Sequence, residues 1–155
     1  MKLSAHFSLE ELTKSETALR FDLDNTPNDE QLSNLVALCE SVLQPIRDHF
    51  GKPVKVNSGF RDKVVNAKVG GSSKSDHCKG MAADIEIPSV PNAELAQFIV
   101  DSGMAFRQCI LEFYTPGIPD SGWVHVSYDI ADNKRQVLTA TKQNGRTVYL
   151  PGLVP

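Results

Sequence analysis

The sequence predicts an α+β domain, with N-terminal helices packed on a mainly antiparallel sheet, and three observations carry that reading. Apolar residues recur at three- or four-residue spacing up to Gly51 and alternate beyond it. Charge divides at the same place: residues 1–50 hold 4 Lys/Arg against 9 Asp/Glu, whereas 51–155 hold 12 against 10. The 155 residues, 41% of them hydrophobic, suffice for a single core. The chain therefore reads as one domain, 1–155, with a helical acidic part (1–50) and a sheet part (51–155) that carries the candidate site.

The elements follow in order. Ser8-Leu9-Glu10-Glu11 forms a capping box that opens a short helix. The turn at 24–29 offers Thr26 as an N-cap and Pro27 as the first residue of a long helix. Leu32, Leu35, Val36, Cys39, Val42, Leu43, Ile46 and Phe50 share one face of that helix; Gly51 and Pro53 end it, and Pro45 kinks it. His49 reads as a cation at the helix end. Alternation then predicts strands at 54–58, 82–87, 108–113 and 123–128. Asn92 is the expected cap of a helix that runs to Gly103, and 135–150 adds a further strand or hairpin.

Composition narrows the function. A formal net charge of −3 supplies no field for nucleic acid or anionic lipid. No apolar run approaches the roughly 18–20 residues of a membrane span, and acidic residues stand where a signal peptide has its apolar stretch. The expectation is a monomer, made in the cytoplasm without a signal peptide, that neither binds nucleic acid nor inserts in membranes. Cys39, Cys78 and Cys109 are odd in number and lack Cys-x-x-Cys spacing, which points to free thiols rather than a disulfide framework.

The chemistry concentrates in Gly70–Ile87, a glycine-rich polar loop entering a strand in which Asp84 stands among apolar residues. His77 and Asp84 lie seven residues apart, and Gly80 between them lets the backbone fold back. Alternation puts Ala82, Asp84 and Glu86 on one face of the strand and Ala83, Ile85 and Ile87 on the other. By itself this pair reads as a salt bridge. With His125, flanked by Val124 and Val126, it becomes a His/Asp/His set that leaves one tetrahedral position open, the pattern of a catalytic zinc site holding one Zn(2+) per chain.

Ser75-Asp76-His77-Cys78-Lys79-Gly80-Met81-Ala82-Ala83-Asp84 fits Ser-x-His-x-x-Gly-x-Ala-x-Asp, with Ser58-Gly59-Phe60-Arg61 before it and Trp123-Val124-His125 after it. In these residues the chain resembles the zinc D,D-carboxypeptidases and peptidoglycan endopeptidases, which are related in fold to the hedgehog signalling domain. The resemblance implies His77, Asp84 and His125 as zinc ligands and Arg61 as the group that binds a peptide carboxylate or carbonyl and steadies the oxyanion. It further implies the stem peptides of bacterial peptidoglycan as substrate. An endolysin-like enzyme of phage or prophage, acting at the wall after release or as part of a virion, fits the size of the chain.

Relatives carry an acid three positions before the last zinc histidine, or a histidine two positions before it; here Gly122 and Trp123 stand there. The base must come from elsewhere. Glu112, placed by a hairpin opposite Trp123 and diagonal to His125, is preferred over Asp120 in the adjoining turn. Ser75, Gln108 and Trp123 are further candidates for substrate contact. The missing acid also keeps open a non-catalytic zinc-containing binding domain on the same fold, and a D,D-dipeptidase or carboxypeptidase acting on free precursors is a third reading.

Overall fold

The computed structural model describes residues 1–155. A short hairpin, β1 (Lys2–Ser4) and β2 (Phe7–Ser8), precedes helices α1 (Leu9–Thr13), α2 (Glu16–Arg20) and α3 (Asp29–Leu38). A π-helical turn, Cys39–Leu43, joins α3 to α4 (Gln44–Phe50). Strand β3 (Lys55–Ser58), helix α5 (Lys63–Lys68), a 3-10 turn at Asp76–Lys79 and β4 (Ala82–Glu86) follow. Helix α6 (Asn92–Asp101), then β5 (Gln108–Glu112), β6 (Trp123–Ser127), β7 (Gln136–Gln143) and β8 (Arg146–Pro151) complete the chain. No helix is long and apolar enough to cross a membrane.

The six strands β3 to β8 form one sheet in the order β3-β4-β6-β5-β7-β8. It is antiparallel except where β5 runs parallel to β7. The α+β architecture is therefore as the change of period indicates, and the four expected strands agree with the observed ones to within a residue at each end. The tail is a hairpin closed by Asn144-Gly145, both at positive φ, which suits the right-handed twist of the strands it joins.

One face of the sheet is the core. Ala83, Ile85, Leu111, Val124 and Val126 are fully buried there against Leu35, Leu38, Val42, Leu43 and Ile46 of the long helical segment and Leu95, Ala96 and Ile99 of α6. Each Val, Leu or Ile among them contributes roughly 1.5–3 kcal/mol by leaving water. Cys39 and Cys109 lie in the same core as free thiols, where burial pushes both up to about 12. The opposite face of the sheet is left for the site.

Local chemistry settles three of the expected details. Helix α3 is capped by Asn28, not Thr26: Asn28 and Gln31 form a reciprocal capping box, while the Thr26 N–H donates to Asp24 Oδ1 at 3.0 Å. The regular helix is interrupted at Pro45, where the kink is expected. The chain relaxes into a π turn just ahead of it, where the Gln44 N–H reaches back five residues to the Cys39 carbonyl. His49 does more than end its helix, since its ring stacks on Phe98 at 3.9 Å and ties α4 to α6.

Asn92 is not the cap of α6 either; Pro91 holds that position. Asn92 is buried, and its amide donates to Glu86 Oε1 at 3.2 Å and to the carbonyls of Ser121 and Gly122 at 2.9 and 3.2 Å. It thereby fastens the loop that delivers β6. Asn92→Ala is expected to cost about 2 kcal/mol by leaving those acceptors without a donor, which lowers the thermal midpoint by about 4–8 °C for a chain of this size. Differential scanning calorimetry measures the shift, and an unchanged midpoint would show the loop to be held by other contacts.

Candidate metal centre

The Ser58–Arg61 turn and the 75–84 segment are built against each other. Gly59 has no room for a side chain, because a Cβ there would collide with the Leu12 carbonyl. That same carbonyl accepts the Phe60 N–H at 2.7 Å. With the turn pinned to α1, the Gly59 carbonyl accepts from His77 Nδ1 at 2.7 Å, and the Arg61 N–H donates to the His77 carbonyl at 3.1 Å. A carbonyl can only accept, so Nδ1 carries the proton and Nε2 is left with its lone pair toward the site.

Gly80 serves the second half of the segment. Its φ of +75° ends the 3-10 turn, and a Cβ there would meet the Gln31 carbonyl of α3. Ser75 caps this turn, accepting from the His77 N–H at 3.2 Å. Ser75 also lines the cavity, so its local role is to set the orientation of the His77 backbone.

Strand pairing sets the rest. Asp84 pairs with His125 and His125 with Ile110, so β4, β6 and β5 present them in one row on the open face. His77 Nε2 lies 3.3 Å and His125 Nδ1 3.1 Å from Asp84 Oδ1. One donor atom from each of the three residues falls within 4.8 Å of the others. Burial disfavours the Asp84 carboxylate, yet the two imidazoles outweigh it and hold its pKa well below the usual range. Burial likewise disfavours the charged form of His125, and Asp84 outweighs it and raises that pKa.

This donor set fits zinc. Two imidazole nitrogens and one carboxylate oxygen suit a borderline cation, and both nitrogens converge on the same Asp84 oxygen, at 3.3 and 3.1 Å. His77 already has the carbonyl partner that fixes its tautomer.

Around the three residues lies an open cavity of about 980 Å³. Arg61, Ser75, Gln108, Glu112 and Trp123 all line it. Glu112 pairs with Trp123 across β5 and β6 and is diagonal to His125, as hairpin pairing requires. Trp123 Nε1–H donates to Glu112 Oε2 at 2.8 Å. Burial, and after it the charge of Asp84, raises the Glu112 pKa, against smaller opposing effects of His125, Trp123 and Arg61. Arg61 has a buried Nε without a hydrogen-bond partner. Gln108 is engaged with Gln136 at 2.7 Å at the cavity edge.

Asp120 is elsewhere. It sits exposed on the 116–121 turn, in a separate depression with Glu86 and Pro88, because the Asn92 bonds and the Asn92 N–H to Pro119 carbonyl contact draw that turn toward α6. The structure also shows why no acid occupies position 122. Gly122 has φ +64°, and a Cβ there would collide with the Glu112 carbonyl.

Two groups of site residues were missed in the sequence. Asp76, a variable position of the motif, pairs with Arg107 Nε at 3.1 Å, and Arg107 also reaches Asp132 at 2.9 Å. This pair fastens the His77 turn to the start of β5; an acid directly before the motif histidine was its one visible signal. Tyr149, Leu138 and Thr147 of the last hairpin also line the cavity, and only strand order brings them there.

A family profile described as peptidase M15 matches residues 5–127. The zinc D-Ala-D-Ala carboxypeptidase of Streptomyces albus G is 40% identical over 78 residues, 50% of this chain and 28% of that protein. The chain thus aligns with less than a third of that relative's length.

His77→Ala and Asp84→Asn should each lower zinc affinity by at least about 100-fold, and Gly59→Ala by about tenfold, since it displaces the acceptor that orients His77. Competition with a chromogenic chelator reads all three. Wild-type affinity in Gly59→Ala would mean that the turn does not govern the ligand.

Proposed function

The chain belongs to the peptidase M15 family, and on that premise we propose that it is a zinc-dependent peptidase hydrolysing amide bonds in peptidoglycan peptides. The observation that carries the reading is the pairing of the zinc-compatible cluster His77, Asp84 and His125 with a half-buried carboxylate, Glu112, on the adjacent row of the same sheet face. A purely structural metal site has no need of that carboxylate. The similarity to a zinc D-Ala-D-Ala carboxypeptidase supports stem or cross-link peptides as the substrate.

Zinc held by His77, Asp84 and His125 would supply Lewis acidity, which allows water to attack an amide at neutral pH. Glu112 moves the proton. Its Oε2 is held by Trp123, so Oε1 is the oxygen free to take a proton from water and return it to the leaving amine. Arg61, with no carboxylate partner of its own, binds the substrate carboxylate or carbonyl and stabilises the charge that develops there. Trp123 acts as a positioning residue through Glu112, and Gln108 borders the substrate. The alternative, a zinc-containing binding domain without turnover, has less support once a carboxylate stands at Glu112.

Digestion of purified peptidoglycan with and without a chelator, read by mass spectrometry, tests the reading. The expected result is release of peptide fragments or D-alanine that stops when metal is removed and returns with zinc. One zinc per chain with no products would establish the binding domain instead. The product masses also separate carboxypeptidase from endopeptidase action.

Glu112→Gln should keep its zinc and lose about 10²–10⁴-fold in kcat; full activity in that variant would remove Glu112 as the base. The Trp123 hydrogen bond favours the charged carboxylate, so Trp123→Phe should raise the Glu112 pKa. The acid limb of kcat/KM then moves to higher pH, because less of the base is deprotonated at any given pH. A limb that stays in place would leave Trp123 with packing alone.

A further inference from the structure

The matched family region ends at residue 127, and the β7–β8 hairpin follows it. Register nevertheless makes that hairpin part of the site. Ile110 pairs with Leu138, which extends the row Asp84, His125, Ile110 onto β7. Trp123 pairs with Glu112, Glu112 with Ala140, and Ala140 with Tyr149, so the row that holds the carboxylate ends on Tyr149 at the sheet edge. Paired residues point to the same face, and both rows therefore open on the same cavity.

Ala140, which stands between Glu112 and Tyr149 in the row, has only a methyl side chain, and burial, with the Glu112 charge after it, raises the Tyr149 hydroxyl above its ordinary value. Tyr149 is 53% exposed, an amphipathic ring presented to solvent beside the cavity. Leu138 and Thr147 line the cavity beside it, one aliphatic and one polar. From β4 to β8 are four strand spacings, about 19 Å, and an extended peptide rises about 3.3 Å per residue. The face thus spans about five or six residues, far more than a dipeptide fills.

We propose that the β7–β8 hairpin is the binding wall for the part of the substrate remote from the scissile bond, with Tyr149 as its main contact, so that the site takes an extended peptide in preference to a dipeptide. This rests on the peptidase reading and adds the length of the substrate to it. Leu138 and Thr147 flank the ring, and Tyr149 acts by contact with bound peptide and not on the reacting atoms.

The test uses zinc-loaded protein carrying Glu112→Gln to suppress turnover, titrated calorimetrically with synthetic stem peptides of two to six residues. Affinity is expected to rise at least tenfold between two and five residues. Adding Tyr149→Ala should remove about tenfold in affinity for the five-residue peptide and flatten the series, Tyr149→Phe should restore most of it, and Thr147→Ala should give a smaller loss. Thermal unfolding of each variant separates lost binding from lost fold. A series equally steep with and without Tyr149 overturns the wall. Length-dependent binding in a protein whose wild type cleaves no peptidoglycan overturns the peptidase reading alone, cleavage with length-independent binding overturns the wall alone, and no binding of any peptide overturns both.

Discussion

A carboxylate placed among apolar strands is the constraint on which the rest of the molecule depends. Asp84 lies on β4 with the fully buried Ala83 and Ile85 beside it, and its charge is tolerable there because two imidazoles face the same oxygen. His125 reaches it from the neighbouring strand, so sheet register supplies one partner. His77 reaches it from a turn, so the turn must be built as firmly as a strand. Removal of either histidine would leave a desolvated anion with half its compensation.

Glycine is the means by which the turns achieve that firmness. Gly59 lets the 58–61 turn lie on the Leu12 carbonyl, Gly80 lets the 3-10 turn lie on the Gln31 carbonyl, and Gly122 lets the 113–122 loop close over the end of β5. At each position backbone meets backbone where a methyl group would not fit. The first two fix His77 from opposite sides, and the third aligns Trp123 with Glu112. The helical half of the chain thus contributes to the site indirectly, as the surface on which the two turns that fix His77 are seated.

The two faces of the sheet divide the labour. The inner face is packed with aliphatic chains and is closed; the outer face bears charged and aromatic groups and remains open from β4 to β8. Burial on one side gives the rigidity that holds side chains on the other to fixed spacings. Strand order, β5 beside β7 and β7 beside β8, carries that open face well past His77, Asp84 and His125 and sets them within a broad groove.

Much of this was legible in the sequence. The change of period at Gly51 fixes the α+β class, the apolar stripe from Leu32 to Phe50 identifies the core face of the long helix, and alternation puts Asp84 opposite Ala83 and Ile85. The pairing of Glu112 with Trp123 follows from loop length, since a hairpin joining two five-residue strands admits few registers. Helix caps were less legible, because Asn28 and Thr26 are both competent caps and the choice falls to whichever finds a reciprocal partner, here Gln31.

Local pattern thus determined the elements, the inner and outer faces, and the residues with the chemistry to bind a metal or move a proton. Tertiary structure alone decided which distant groups share the site: Gly59 as the acceptor that sets the His77 tautomer, Arg107 as the partner of Asp76, and Tyr149 as the end of the Glu112 row. The physical reason is range. Periodicity and capping act over a few residues along the chain, whereas strand order and loop docking are settled by burial of the whole core, and no short stretch of sequence encodes that.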